Sequence, residues 1–141
     1  MQALGTVTVI DLGPAGAELL SRKAWDALLN ATRIYVLDRL HPAITELPDH
    51  LEIVVLLVEN ENIELDDLCK RLIAEALEGR VVNLALAGGA AGTILLSCLK
   101  AQAAENGLEF AFLPAIDPIT LAMAVFDLDL GAGLSIAHAN Q

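Results

Sequence analysis

The chain has 141 residues, a length that fits one domain and leaves little room for two. Hydrophobic residues make up 55% of it and the mean hydropathy is +0.58, so the chain can bury a large core and is not intrinsically disordered. Its 19 acidic and 8 basic residues give a net charge of −11. Because nucleic acids and anionic membrane surfaces attract basic patches, this charge argues against both as partners.

Neither a disulfide framework nor a membrane anchor is expected. Cys69 and Cys98 lie inside apolar helical patterns, which is typical of buried thiols in a reduced, cytoplasmic protein. The N-terminus lacks a basic segment followed by an apolar one, so we expect no signal peptide. Residues 81–99 are uncharged and long enough to span a bilayer, but Gly88 and Gly89 interrupt them, which favours a strand, a loop and a helix.

Short apolar segments alternate with helical patterns along the chain. The predicted strands cover residues 6–12, 33–37, 51–58, 81–86 and 108–113, and a further strand is expected at 134–137. The predicted helices cover residues 20–31, one turn after Pro42, 65–76 with Gly79 at the end, 91–106 and 118–126. Strands that are apolar throughout are buried on both faces. The sequence therefore predicts an α/β fold, a three-layer parallel sheet of about five strands with helices on both faces.

Loops rich in glycine or proline follow three of the predicted strands. They are residues 13–16, 87–90 and 114–118. In an open α/β sheet, ligands bind outside the carboxyl ends of the strands, and small residues let backbone amides approach an anionic group. Each loop taken by itself is also explained by a tight turn that needs small residues for packing.

Several familiar sites do not fit these segments. The dinucleotide fingerprint G-x-G-x-x-G would need a glycine at Asp11, and no G-K-[ST] phosphate loop occurs. No G-x-S-x-G elbow accompanies the histidines, so surface or helix-capping roles are expected for them. The acidic residues between 59 and 67 could hold Mg²⁺, but acidic residues at the start of a helix also stabilise its dipole. No metal site is therefore predicted.

Four segments follow the motif order of a known family. Residues 9–20, VIDLGPAGAELL, are similar to V-G-x-G-P-G-D-x-x-L-L, and residues 37–42, LDRLHP, to Y-D-x-L followed by H-P. Residues 87–90, AGGA, stand where a G-D-P or G-H-P loop belongs, and residues 114–118, PAIDP, where P-G-[VI]-S-S does. Over essentially its whole length the chain resembles the N-terminal domain of the tetrapyrrole (corrin/porphyrin) methylases. It looks closest to the methylase-like domain fused to MazG-type nucleotide pyrophosphohydrolases.

The resemblance implies an S-adenosylmethionine-dependent methyltransferase domain that transfers a methyl group to a carbon nucleophile. The residues that it implies for the cofactor site are Gly13, Pro14, Gly88, Gly89, Ala90, Thr93, Ile116 and Asp117. Asp38 lies in the segment similar to Y-D-x-L and is implied to face the substrate. No residue matches a general acid or base, so the catalytic residues are left unassigned.

The loops implied to bind the cofactor depart from the family pattern. Asp11 and Ala15 replace glycines of the first loop, Ala115 replaces a glycine of the third, and Gly89 and Ala90 replace Asp-Pro in the second. An added Cβ costs roughly 1 kcal/mol or more where the backbone needs a positive φ or approaches a ligand closely. The hydrophobic framework is intact, so the departures bear on cofactor binding and not on the fold.

In this family the cofactor lies between two α/β domains, and residues 131–139 resemble the passage into the second. We therefore expect residues 1–141 to form one methylase-like N-terminal domain, with the second domain absent and the cofactor cleft incomplete. The alternative is a non-catalytic module that dimerises or binds a partner, such as a MazG-type pyrophosphohydrolase domain or protein. The altered loops favour this alternative, as does the excess of apolar residues, which could cover a homodimer interface.

Overall fold

The computed structural model describes residues 4–37, 39–57, 64–87, 90–127, 131, 133 and 135. In this part of the chain the strands are β1 Thr6–Asp11, β2 Arg33–Val36, β3 Glu52–Val55, β4 Val81–Leu86 and β5 Glu109–Leu113. The helices are α1 Arg22–Asn30, α2 Pro42–Thr45, α3 Leu65–Leu77, α4 Ala90–Glu105 and α5 Pro118–Phe126. A 3₁₀ turn, Ala17–Leu19, precedes α1.

The strands pair in parallel and form one sheet in the order β3-β2-β4-β1-β5. From β1 the chain passes through α1 to β2, toward one edge of the sheet, whereas from β4 it passes through α4 to β5 at the other edge. The direction of the connections therefore reverses between the adjacent strands β1 and β4. Helices α1 and α2 cover one face of the sheet, and α3 and α4 cover the other. The predicted three-layer α/β fold is confirmed.

Two hydrophobic cores lie on the two faces of the sheet. In β1, Val7 and Val9 pack with α3 and α4, and Ile10 packs with α1 and α2. All three side chains are fully buried. Because consecutive residues of a strand point to opposite faces, a strand buried on both sides must be apolar at successive positions. This is why the strands appear in the sequence as uninterrupted apolar runs.

Local side-chain chemistry sets the ends of several elements. Helix α1 starts at Arg22, two residues later than predicted, because the Ser21 hydroxyl accepts a hydrogen bond from the Ala24 amide (3.1 Å) and caps the helix. Gly79 takes a φ of +92° just beyond α3, at the position predicted for it. The prediction that the third strand reaches residue 58 is wrong, since β3 ends at Val55.

The structure also bears on the cysteines and on the uncharged segment 81–99. Cys69 is buried, but Cys98 is only partly so, which corrects the prediction that both are buried.

Residues 81–99 divide into β4, a short connection and the first part of α4, as predicted. None of the helices described has the length and apolar character needed to cross a bilayer. The strand predicted at 134–137 falls on a segment of which only residue 135 is described, so it stays a prediction.

Candidate functional site

The three loops singled out in the sequence leave the same edge of the sheet. They follow β1, β4 and β5, which are adjacent and parallel, so their carboxyl ends lie side by side. The reversal of connection direction lies between β1 and β4, and such a reversal opens a crevice in which α/β sheets bind ligands. Topology thus makes this edge the candidate site.

The first and third loops pack directly against each other at Gly13. Gly13 has a φ of +68°, a conformation that residues with a side chain rarely adopt. A Cβ added there would lie 3.1 Å from the Cβ of Ala115 and 3.8 Å from Cγ2 of Ile116. Glycine is therefore required by the backbone and by its neighbours together.

Asp11 closes the first loop on itself. The Gly13 amide donates a hydrogen bond to Oδ1 of Asp11 (2.8 Å), and the Leu12 amide donates to the carbonyl of Leu86 in β4 (2.8 Å). Where the family pattern has a glycine, this chain has a carboxylate that accepts from a loop amide. That amide is consequently not free to bind an anionic ligand group.

His41 ties the first loop to the start of α2. Its Nδ1 accepts a hydrogen bond from the Ala43 amide (3.1 Å), and its Nε2 lies 2.7 Å from the Gly13 carbonyl oxygen. Because Nδ1 accepts, the proton of the neutral ring is assigned to Nε2, which donates to Gly13. The predicted capping role is confirmed for this histidine, whereas its bond to Gly13 was not foreseen.

Two further carboxylates hold backbone amides at this edge. The Ala17 amide donates to Oε2 of Glu46 (2.8 Å), which joins the 3₁₀ turn to the end of α2. Asp117 caps α5, because its Oδ1 accepts from the Ile119 amide (2.6 Å). With Asp11, these side chains give the edge a negative charge. Such an edge favours a ligand that presents a cationic group.

Some of the other residues predicted for the cofactor site lie at the carboxyl edge of the sheet, and some lie outside the described part of the chain. Pro14 is exposed and Ile116 partly buried at the same edge, and Thr93 is exposed in the first turn of α4, which begins at Ala90. The predicted residues Asp38, Gly88 and Gly89 lie outside the described part of the chain. Among the residues described, Asp11, His41 and Glu46 are the loop contacts that the sequence prediction missed. Asp11 drew attention only as a departure from a pattern, and His41 only through the His-Pro pair.

A second concave region lies at the opposite edge of the sheet, where the strands begin. It has a volume of about 450 Å³ and is lined in part by Arg33, Glu52, Glu75 and Arg80. Arg33 pairs with Glu52 (3.0 Å), and Glu75 accepts a hydrogen bond from the Tyr35 hydroxyl. Burial, followed by the hydrogen bond to Glu75, raises the pKa of Tyr35. These four charged side chains are paired with one another, so none of the four is left unpaired to bind a ligand.

Several solved structures with a similar fold are methyltransferases. A cobalt-precorrin-4 methyltransferase of cobalamin biosynthesis aligns with a TM-score of 0.69 and 17% identity over 89% of this chain and 52% of its own. A uroporphyrin-III C-methyltransferase from Thermus thermophilus aligns with a TM-score of 0.67 and 28% identity over 89% of this chain and 54% of its own. The chain has the fold of the tetrapyrrole methyltransferases.

A third structure of this fold is that of the methyltransferase CobJ, with a TM-score of 0.64 and 29% identity over 90% of this chain and 53% of that one. The chain thus spans about half the length of each of these methyltransferases. No protein-family model matches the sequence, and no curated protein matches it significantly. The similarity that these comparisons show is therefore one of fold.

Proposed function

We propose that this chain is the cofactor-binding domain of an S-adenosylmethionine-dependent methyltransferase of the tetrapyrrole methylase type, with an altered cofactor loop. The observation that carries the proposal is that the carboxyl ends of β4, β1 and β5 lie side by side at the reversal of the connections. The fold shared with tetrapyrrole methyltransferases supports it. Fold alone does not establish activity, so the proposal depends on this edge and its residues.

The residues of the edge fit the cationic part of the cofactor. S-adenosylmethionine carries a sulfonium and an ammonium group against a single carboxylate, so it is a net cation at neutral pH. Asp11, Glu46 and Asp117 supply negative charge at the edge. Gly13 and Ile116 pack closely together beside them. When bound, the cofactor supplies the methyl group. The chain's own residues bind it, orient it and exclude water.

Asp11 is the residue in which this edge differs most from a glycine-rich cofactor loop. Its carboxylate holds the Gly13 amide and adds a negative charge beside the loop. Such a loop should bind S-adenosylmethionine more tightly than S-adenosylhomocysteine, because the second compound lacks the sulfonium charge. Asp11→Asn should reduce this preference while keeping an oxygen that accepts from the Gly13 amide.

Isothermal titration of both compounds tests the proposal. They are titrated into this chain, into its Asp11→Asn variant and into the longest encoded protein that contains this chain. We expect S-adenosylmethionine to bind several-fold more tightly than S-adenosylhomocysteine, and the ratio to fall in Asp11→Asn. Binding by the longer protein alone would assign part of the site to residues outside this chain. No binding by any of them at about millimolar cofactor would contradict the proposal.

A second candidate is a non-catalytic module that forms a homodimer or binds a MazG-type nucleotide pyrophosphohydrolase. The observation in its favour is the apolar helix α5, in which no residue is buried. The side chains of Val125 and Phe126 are 66% and 71% exposed, and Phe112 in the edge strand β5 is 42% exposed. Exposed apolar side chains that are neighbours, as Val125 and Phe126 are in α5, are typical of interaction surfaces. Light scattering of the purified chain, with Phe126→Glu as the comparison, shows whether this surface holds two copies together.

A further inference from the structure

Cys69 and Cys98 lie on α3 and α4, two helices that pack against each other on one face of the sheet. Cys69 in α3 is fully buried in the core, and Cys98 in α4 is partly buried against the same cluster of residues. Sγ of Cys98 also lies 4.0 Å from Oδ1 of Asp66, three residues before Cys69 and therefore on the same side of α3. Cys98 thus lies over the turn of α3 that carries Cys69.

The surroundings of the two thiols differ. Nε2 of Gln102 donates to Sγ of Cys98 at 3.6 Å, and the Cys98 thiol donates in turn to Oδ1 of Asp66. Lys70 pairs with Asp66 (2.9 Å) and offsets the negative charge nearest to Cys98. Burial raises the pKa of the Cys69 thiol to about 12, and its hydrogen bond to Cys98 contributes to the rise. Cys98 is accordingly the thiol that solvent reaches and Cys69 the one protected from it.

We propose that Cys98 and Cys69 form an oxidation site, at which a peroxide converts the two thiols to a disulfide between α3 and α4. In the first step the Cys98 sulfur attacks hydrogen peroxide. An S–O bond forms, the O–O bond breaks, and Cys98 becomes a sulfenic acid as one water is released. In the second step the Cys69 sulfur attacks the Cys98 sulfur. The S–S bond forms, the S–O bond breaks, and a second water leaves with the Cys69 proton.

The disulfide would join the two helices that cover one face of the sheet and would close a chain segment containing β4. The disulfide forms from two side chains of this chain and a peroxide, so its test needs no cofactor.

Peptide mapping by mass spectrometry tests whether peroxide joins Cys69 and Cys98 in a disulfide. The full chain is treated with a small excess of hydrogen peroxide, blocked with iodoacetamide and digested with trypsin, which cuts after Arg71 and Arg80. The cysteines then leave in different peptides unless a disulfide joins them. We expect a linked peptide, lighter by two hydrogen atoms than the sum of its parts, as the main oxidised product.

Two single variants identify the roles of the thiols. Cys69→Ser should accumulate the sulfenic acid on Cys98, which dimedone labels, and Cys98→Ser should leave Cys69 unmodified over the same time. Circular dichroism checks that both variants are folded. If either variant is unfolded, the peptide map of the wild-type chain alone tests the proposal. Oxidation of Cys98 to a sulfinic acid without a linked peptide would overturn the proposal. Disulfides mainly between two chains would overturn it too.

Discussion

Gly13 shows at the scale of a single residue how the candidate site is constrained. Its positive φ turns the chain at the end of β1, and Ala115 lies so close that a Cβ at position 13 would require it to move. Gly107 has nearly the same φ, +67°, but an added Cβ there would have nothing within 4 Å. Substitutions at these two glycines therefore distinguish the cost of backbone strain, which both share, from the cost of the contact with Ala115, which only Gly13 has.

We therefore expect Gly13→Ala to cost more stability than Gly107→Ala. Gly107→Ala should lower the free energy of unfolding by about 1 kcal/mol, because it introduces backbone strain alone. Gly13→Ala should cost about 1–3 kcal/mol beyond that, because Ala115 must also move. Urea denaturation of the three proteins measures the difference. Equal losses in the two variants would show that the contact with Ala115 is not tight.

The interaction of Asp11 with Gly13 illustrates why part of the site could not be predicted from the sequence. The pattern showed that an acid replaces a glycine, and this alone suggested a damaged loop. Whether the carboxylate projects into the crevice or bonds to the loop depends on the turn at Gly13, which no local pattern specifies. The structure shows that it bonds to the loop, through the Gly13 amide.

Between elements, the main connection at the site is the bridge that His41 makes from α2 to the loop after β1. The ring caps α2 through Nδ1 and holds the Gly13 carbonyl through Nε2. Pro42, the first residue of α2, needs no partner for its nitrogen and so suits this helix start. A helix of one turn is not stable in isolation, so this bridge and the burial of Ala43 and Ile44 hold α2 in place.

Substitution of His41 separates the cap from the bridge. His41→Ala should lower the free energy of unfolding by about 1–3 kcal/mol, because it removes both hydrogen bonds. His41→Asn keeps a capping side chain but is shorter, so it should recover only the part due to the cap. His50→Ala, at an exposed position, is the matched control and should change stability by less than about 0.5 kcal/mol. Chemical denaturation gives all three values, and a loss for His41→Ala no larger than the control's would contradict the bridge.

At the scale of the whole molecule, the sequence predicted the elements better than their arrangement. The apolar runs and the capping residues predicted each described strand and α-helix, because a strand buried on both faces and an amphipathic helix leave periodic patterns. The order β3-β2-β4-β1-β5 was not deduced from these patterns, because similar apolar strands give no local signal for their neighbours. The order nevertheless matters most for function, since it places the carboxyl ends of β4, β1 and β5 side by side.

The proposed function requires the carboxyl edge of the sheet to bind S-adenosylmethionine. An NMR titration of the isotope-labelled chain, with a signal for each backbone amide, tests this most directly. We expect the largest shift changes at Gly13, Thr93 and Ile116, and small ones at Arg33 and Arg80 on the opposite edge. Shift changes concentrated at the opposite edge would contradict the account, and so would none at about millimolar cofactor.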